Sequence, residues 1–215
     1  MRPPLEVSAT LYLVRHGESE GNAARRVMGQ IDLPLTETGR AQAAALGAWL
    51  ARGGLDLRAV YTSDLCRATG TAAAIAAACG DIPIHVRPDL RELGRGALEG
   101  RTLAEAEELR RDPAVLQSFE PDAAVAVRMR RAGNELREAA LSAPVAAVAH
   151  GGSISRLLRF WLGAGGVPGA GDGTFLVSNT GLTVIQFGRG RPEVLCVNAR
   201  YHLPEPAAGL LAPGR

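Results

Sequence analysis

An arginine and a histidine stand side by side directly after a short apolar run near the start of the chain. Residues 11–14 are apolar and predict a buried strand, which ends where Arg15, His16 and Gly17 begin. Arginine offers a fixed fork of donors for phosphate or carboxylate, and histidine acts as a nucleophile or proton carrier near neutral pH. Because open α/β sheets bind ligands at the carboxyl ends of their strands, this pair is a candidate for chemistry on an anion.

Two later segments place polar residues in the same way. The predicted strand at 59–63 is followed by Asp64, with Arg67 one helical turn further on, and the predicted strand at 145–149 is followed by His150. The carboxyl ends of parallel strands share one edge of a sheet, so two histidines and two arginines should converge there. This convergence favours a functional site over a solvated strand end.

Two arginines and two histidines at one edge suit a phosphoryl group. Two guanidinium forks can grip a doubly charged tetrahedral anion. A neutral histidine can attack the phosphorus in line, and a second, protonated histidine can stabilise the equatorial oxygens. The leaving alkoxide also needs a proton, for which the sequence offers three acids: Glu18, Glu92 and Glu99.

Strand and helix patterns alternate along the chain and predict a three-layer α/β/α sandwich with a mostly parallel sheet. Thr36 is predicted to cap a helix that ends near 53–54, and Asp64 to cap an alanine-rich helix that ends near 79. The further predicted elements are strands at 82–86, 176–177, 182–187 and 193–197, helices at 102–111, 122–141 and 154–162, and loops at 22–35, 91–100 and 112–121.

The length of 215 residues, 47% of them hydrophobic, is enough for one domain with a full core. We predict a single domain over residues 10–202, with a helical insertion at about 102–141. Residues 1–9 and 203–215 are predicted to be tails.

The composition narrows the class of protein. A net charge of +2 argues against nucleic acid and membrane partners, and the absence of lysine excludes both a Schiff-base lysine and a P-loop lysine. The chain shows no signal-peptide core, no apolar run of transmembrane length, and three cysteines without a metal-binding or redox spacing. We expect a soluble, cytoplasmic protein that acts on a small phosphorylated substrate. The sequence does not decide whether it forms a homodimer.

Five ordered motifs resemble those of the histidine phosphatase superfamily. They occur between about residues 10 and 190, at 13–18 (Leu-Val-Arg-His-Gly-Glu), Asn22, 63–69 (Ser-Asp-Leu-Cys-Arg-Ala-Thr), 91–100 and 149–152 (Ala-His-Gly-Gly). The resemblance implies a phosphoglycerate-mutase-like fold. It also implies a histidine acid-type phosphatase, a phosphoric monoester hydrolase that uses neither a cofactor nor a metal.

The resemblance further implies a role for each matching residue. His16 would be the nucleophile that becomes phosphohistidine, and Glu92 would be the proton donor and then the base for water. Arg15, Arg67 and His150 would hold the phosphoryl group. The further substrate contacts would be Asn22, Gly29, Arg95, Gly151 and Gly152.

Chain length favours a phosphatase over a mutase. Mutases that resemble this family carry a long insertion between the acid and the second histidine, and the stretch from Glu92 to His150 is short. A mutase must also hold a second phosphate. Five arginines could do so, although they more simply line the solvated faces of helices: Arg110, Arg111, Arg128, Arg130 and Arg131.

Two departures from the family pattern leave the substrate open. Arg95 and Leu98 stand where such phosphatases often carry aromatic residues. The Gly-Glu-Ser that usually precedes the helix at 122–141 is replaced by the Phe-Glu-Pro-Asp of residues 119–122. Both positions are expected to shape the pocket for the leaving group, so the catalytic hypothesis is unaffected.

Two other functions fit part of the sequence. Ser153 lies in a near match to the Gly-x-Ser-x-Gly nucleophile elbow, and Asp172 and His202 follow in the order of a serine esterase triad. The elbow requires glycine where Ser155 stands, and an esterase leaves Arg15 and His16 unexplained. A phosphate-binding module without turnover is also conceivable, but nucleophile, acid and arginines together give no reason for inactivity.

Overall fold

A six-stranded sheet forms the centre of the protein in the part that the structure, a computed structural model, describes: residues 9–163, 175–188 and 191–204. Its strands are β1 (Ala9–Arg15), β2 (Ala59–Thr62), β3 (Ile84–Val86), β4 (Val145–Ala149), β5 (Leu182–Phe187) and β6 (Glu193–Ala199). They are arranged in the order β3-β2-β4-β1-β5-β6. Most residues of the two predicted tails, 1–8 and 205–215, lie outside the described part.

The described helices cover both faces of the sheet. They are α1 (Glu20–Ala23), α2 (Glu37–Arg52), α3 (Cys66–Ala78), α4 (Leu103–Leu109), α5 (Pro113–Gln117), α6 (Asp122–Ser142) and α7 (Gly151–Leu162), with 3₁₀ turns at Pro88–Leu90 and Gly96–Leu98. No described helix is long and apolar enough to cross a membrane.

Successive side chains of the central strands point to opposite faces of the sheet, and this creates two hydrophobic cores. Leu13 of β1 packs with α6 and α7, whereas its neighbour Val14 packs with α2 and α3 on the opposite face. The strands β3, β2, β4 and β1 pair in parallel, and β5 and β6 continue the sheet antiparallel on the other side of β1. The predicted three-layer α/β/α sandwich with a mostly parallel sheet is confirmed.

The two predicted helix caps have different outcomes. The Thr36 side chain accepts a hydrogen bond from the Gly39 amide at 2.9 Å and caps α2 as predicted. The Asp64 prediction was wrong, because its carboxylate accepts two hydrogen bonds from the Arg91 guanidinium, at 2.6 and 2.7 Å. Asp32 instead accepts from the first amide of α3 at 2.7 Å. A distant charged partner therefore overrode the local capping signal.

The predicted strand at 176–177 was also wrong. Residues 175–178 are irregular, and their backbone groups bond to side chains rather than to a neighbouring strand. The Val177 carbonyl accepts from Arg15 Nη1 at 2.6 Å, and the Ser178 amide donates to Asn198 Oδ1 at 2.8 Å. This segment is therefore a loop, and through Val177 it contacts Arg15.

Two predicted loops contain short helices. The predicted loop at 22–35 overlaps the end of α1, which Ser19 caps by accepting from the Asn22 amide at 3.3 Å. Asp112 caps α5 by accepting from the Ala114 amide at 2.8 Å, with Pro113 in the first turn. Proline breaks helices in their interior but is favoured at the first position, so Pro113 begins a helix here and does not mark a loop.

Candidate active site

The carboxyl ends of β1, β2 and β4 meet at one edge of the sheet. Arg15 pairs with Ala149 and Thr62 with Val148, so the residues that follow these strands emerge together. The imidazoles of His16 and His150 lie with ring centroids 5.0 Å apart and planes at 57°. The predicted convergence of distant strand ends is therefore what the structure shows.

His16 is buried, and one of its ring nitrogens is hydrogen-bonded to the backbone. Its Nδ1 lies 2.7 Å from the Gly17 carbonyl oxygen, and a carbonyl can only accept, so Nδ1 carries the proton. Burial, together with the charges of Arg15 and Arg67, lowers the pKa of His16 well below its ordinary value. The ring is therefore neutral at physiological pH, with a lone pair on Nε2.

Arg15 and Arg67 are fixed by main-chain carbonyls. Arg67 is buried and donates from Nη1 to Ile31 at 2.6 Å and from Nη2 to Gly29 at 2.9 Å. Arg15 donates from Nη1 to the Val177 carbonyl at 2.6 Å. The Nε atoms of both guanidiniums are buried without a hydrogen-bond partner among the described residues. Burial lowers the pKa of both arginines, and the charge of Glu92 opposes that shift.

His150 is completely buried beside His16. Its Nε2 lies 2.7 Å from Ser63 Oγ, and its Nδ1 is buried with no partner in the described part of the chain. Burial, followed by the influence of His16 and the two arginines, lowers the pKa of His150 well below its ordinary value. A protonated second histidine is predicted from the sequence, but desolvation favours the neutral form of this ring in the free protein. With Ser63 donating to Nε2, the Nδ1–H would still be a donor for the site.

Glu92 is the acid that the structure places in the site. Its Oε1 accepts from the Leu93 amide at 2.8 Å and from the Ser153 amide at 3.2 Å, and its Oε2 accepts from the Gly152 amide at 3.0 Å. Two of these donors belong to the first turn of α7. The carboxyl group is therefore fixed at the N-terminus of the helix that follows His150.

The other two candidate acids have structural partners. Glu18 Oε1 accepts from Thr36 Oγ1 at 2.7 Å, next to the cap of α2. Glu99 Oε1 accepts from the amides of Gln30 at 3.1 Å and Arg95 at 2.7 Å, and so connects two loops. Neither side chain lines the cavity at the sheet edge.

Asn22 is oriented by a residue that the sequence did not single out. Asn22 Oδ1 accepts from the Ser19 amide at 3.2 Å, from Ser19 Oγ at 3.1 Å and from Asn179 Nδ2 at 3.0 Å. The oxygen is fully used, so the amide nitrogen is directed to the cavity that Asn22 lines. Asn179 Nδ2 also donates to the His16 carbonyl at 3.0 Å. The only sequence signal for Asn179 was a turn between two strands.

Two of the three predicted glycines, Gly29 and Gly152, allow close packing against carboxylates, whereas Gly151 has room for a side-chain carbon. Gly29 has φ +48°, and a side chain there would collide with the Glu99 carboxylate. A side chain at Gly152 would collide with Glu92, and one at Gly151 would lie 3.9 Å from the Arg15 Nε atom. Because the Gly152 amide donates to Glu92, this glycine holds the acid rather than the substrate in the free protein.

Arg128 anchors the loop that carries Glu92. Its guanidinium forms a salt bridge with Glu120 at 2.6 Å, with side chains only 13% and 18% exposed, and donates to the carbonyls of Asp89, Arg91 and Glu92 at 2.8 to 3.1 Å. The prediction that Arg128 lines a solvated helix face was wrong. Glu120 lies eight residues before Arg128 and outside α6, so no helical spacing in the sequence indicates this pair.

The site opens into a cavity of about 300 Å³. Its inner end is lined by Arg15, His16, Asn22, Arg67 and Glu92. Its mouth is formed by residues at or near the surface: Arg25, Arg26, Val27, Arg95 and Leu103. Arg95 also lies over the Phe119 ring, 5.8 Å from its centroid. Met28 and Gly29 are buried and also line the cavity.

The remaining candidates have other surroundings. The Ser153 hydroxyl donates to the His150 carbonyl at 3.1 Å, His202 Nε2 lies 3.0 Å from Thr180 Oγ1, and Asp172 lies outside the described residues. Arg110 and Arg131 form surface ion pairs with Glu107 and Asp89. None of the described histidines, cysteines, aspartates and glutamates form a group of three that could hold a metal ion.

The geometry gathers two arginines, two histidines and a glutamate at the edge of an α/β sheet, and comparison with known proteins assigns the chain to a family. The model of the histidine phosphatase superfamily (branch 1) matches residues 11–200, so the chain belongs to this superfamily. It is 39% identical over 163 residues to the probable phosphoglycerate mutase GpmB of Photorhabdus laumondii, covering 71% of this chain and 74% of that protein. Other curated relatives are matched over 42 to 46% of their length. The superfamily supports a phosphatase or a mutase.

Solved structures include both kinds of enzyme. A mycobacterial glucosyl-3-phosphoglycerate phosphatase superposes with a TM-score of 0.76 at 27% identity, covering 88% of this chain and 99% of that one. A phosphoglycerate mutase from Bacillus anthracis superposes with a TM-score of 0.75 at 25% identity, covering 91% and 95%. The shared fold is therefore phosphoglycerate-mutase-like, and it does not separate the two activities.

Proposed function

We propose that the protein is a metal-independent phosphomonoesterase that hydrolyses a small phosphorylated metabolite through a phosphohistidine on His16. One observation carries the proposal: Arg15 Nε, Arg67 Nε and His150 Nδ1 are buried without partners among the described residues, and all belong to side chains around His16. Buried polar atoms are nearly always hydrogen-bonded. A tetrahedral anion with several oxygens matches three such nitrogens at one place.

The first half-reaction transfers the phosphoryl group to the enzyme. The lone pair of His16 Nε2 attacks the phosphorus, so that a P–N bond forms while the P–O bond to the leaving alcohol breaks. Arg15, Arg67 and His150 bind the non-bridging oxygens as charge redistributes. The Glu92 carboxylic acid gives its proton to the leaving alkoxide, which departs as a neutral alcohol.

The second half-reaction restores the enzyme. A water molecule attacks the phosphorus, the P–N bond breaks, and the Glu92 carboxylate takes the proton of the water. Inorganic phosphate is released, and His16 returns to its neutral form with the Nδ1 proton still held by Gly17. The three backbone amides around Glu92 support both roles because they fix the carboxyl group in place.

Transfer to a second hydroxyl, as in a mutase, is the alternative that the name of the Photorhabdus relative favours. None of the five arginines suggested for a second phosphate lines the cavity in the described part of the chain: Arg110, Arg111, Arg128, Arg130 and Arg131. These five arginines therefore do not form the second phosphate site that transfer between two positions of a substrate requires.

A screen of phosphorylated metabolites tests the proposal. We expect released inorganic phosphate with at least one metabolite, no effect of EDTA, and no turnover by His16→Ala. With 3-phosphoglycerate the products are analysed as well, because a net conversion to 2-phosphoglycerate without phosphate release would identify a mutase. Inhibition by EDTA that added metal restores would contradict the metal-independent mechanism.

A further inference from the structure

The charge of the cavity exceeds what a phosphoryl group needs. Its lining holds five arginines and a single acidic residue: Arg15, Arg25, Arg26, Arg67, Arg95 and Glu92. A phosphate dianion offsets two of the five positive charges, and Glu92 offsets a third only after it has given its proton to the leaving group. The excess lies at the mouth, beyond the two arginines that grip the phosphoryl group.

The arginines of the cavity have no carboxylate partner in the described part of the chain, a condition that Arg40, Arg52 and Arg101 outside the cavity share. Eight arginines outside the cavity lie within 4.0 Å of a carboxylate: Arg58, Arg87, Arg91, Arg110, Arg128, Arg131, Arg137 and Arg156. Within the described residues, none of the five in the cavity has such a partner. Arg26 donates to the Gly100 carbonyl at 2.7 Å, and Arg95 stacks on Phe119. These contacts position the side chains without neutralising them.

Arg25 has a further unusual feature. Its backbone has φ +52°, a conformation that costs energy for a residue with a side chain. Its amide donates to Asn22 at 3.0 Å, and its carbonyl accepts from Leu103 at 3.1 Å, so the loop holds it in this conformation. The exposed side chain lines the same cavity as Asn22 and His16. The strained loop thus places a positive charge at the mouth.

We propose that the leaving group of the substrate carries a second anionic group, a carboxylate or a phosphate, which binds to Arg25 and Arg95 at the mouth. The inference rests on the proposed phosphatase and names its substrate class. Guanidinium groups bind carboxylate and phosphate in the same forked geometry. A cavity of about 300 Å³ with Val27 and Leu103 beside the arginines suits a short carbon chain between the two anionic groups.

Matched pairs of esters test this specificity. One pair is 3-phosphoglycerate and glycerol 3-phosphate, which differ by a carboxylate, and the other is fructose 1,6-bisphosphate and fructose 1-phosphate, which differ by a phosphate. We expect kcat/KM to be about ten-fold or more higher for the anionic member of at least one pair, the loss expected when one charged hydrogen bond is absent. The pair that shows the preference identifies the anionic group.

Variants locate the effect. In Arg25→Gln and in Arg95→Gln the preference should fall to within about three-fold of unity, whereas Arg58→Gln, which removes a surface ion pair with Asp56, should keep the full preference. The preference is the ratio of two kcat/KM values measured on the same variant. A smaller fraction of folded protein lowers both values equally and leaves the ratio unchanged.

Three results would overturn the inference. Equal use of both members of both pairs by an enzyme that hydrolyses p-nitrophenyl phosphate would refute it and leave the proposed phosphatase intact. An unchanged preference in both arginine variants would do the same. Failure to hydrolyse any ester, including p-nitrophenyl phosphate, would refute the phosphatase together with the inference.

Discussion

The inner end of the cavity is fixed by bonds from several parts of the fold, whereas its mouth is formed by side chains on surface loops. His150 and Arg67 at the inner end are 0% and 1% exposed, and their partners come from Ser63, directly after β2, and from the loop at 29–31. At the mouth Arg25 is exposed, and Leu103 is 48% exposed. Groups that stabilise a transition state must be oriented before the reaction, which the buried end provides. Groups that recognise a leaving group can change at less cost to the fold.

The largest effect is expected at the nucleophile. His16→Ala removes the nitrogen that attacks phosphorus, and we expect kcat on p-nitrophenyl phosphate to fall by about 10⁴-fold or more. His85→Ala, a histidine of β3 that contacts Tyr61, is the matched control and should keep wild-type activity. Substantial turnover by His16→Ala would show that the inner end is not the reactive centre.

The next effect is expected at the acid. Glu92→Gln keeps the shape of the side chain but cannot supply or accept the proton, so kcat on alkyl phosphates should fall by about 10³-fold. The loss in kcat/KM, which reports phosphoryl transfer to His16, should be smaller for p-nitrophenyl phosphate, whose leaving group needs no proton. With that substrate an acid-labile phosphoenzyme should accumulate, because water is no longer activated. Glu18→Gln, which replaces an acid bonded to Thr36, should show neither change. Equal losses in kcat/KM on both substrates would contradict the role of Glu92 as proton donor.

A smaller effect is expected at Arg128, which positions Glu92 without touching the substrate. Arg128→Met removes the bonds to the loop at 89–92, and we expect kcat on alkyl phosphates to fall by about ten-fold with little change in KM. Arg128→Lys should restore part of the loss. In the Glu92→Gln background the same change should have no further effect, whereas a merely destabilising substitution would lower activity in both backgrounds.

The sequence was sufficient to predict which strand ends meet, because apolar runs that stop at charged residues mark the carboxyl ends of buried strands. It was not sufficient for bonds between distant side chains. Ser63 and His150 are 87 positions apart, and Asn22 and Asn179 are 157 apart. Such contacts depend on strand order and register, which no local pattern encodes. The wrong cap at Asp64 has the same cause, since Arg91 lies 27 positions away.

The smallest effect concerns the pH dependence of the free energy of unfolding. This dependence distinguishes the buried inner end of the cavity from its exposed mouth. The pKa of buried His150 is lowered in the folded protein, so between its ordinary value near 6.5 and its folded value only the unfolded chain binds a proton there. The free energy of unfolding should therefore decrease as the pH falls from 7.5 to 5.5. His16 contributes in the same direction, as does His202, whose pKa burial lowers to about 4.

His150→Gln removes one of these titrations. Urea unfolding at pH 7.5 and 5.5 should show a pH-dependent loss of stability about 1.4 kcal/mol smaller in the variant than in the wild type, the contribution of one histidine kept neutral one pH unit below its ordinary pKa. The comparison uses the difference between the two pH values, so any loss of stability common to both cancels. Arg25→Gln at the mouth should leave the pH dependence unchanged, because Arg25 is exposed and is not among the groups that shift His150. If His150→Gln has the same dependence as the wild type, the inner end admits enough water to protonate His150, and the contrast between a desolvated inner end and a hydrated mouth is wrong.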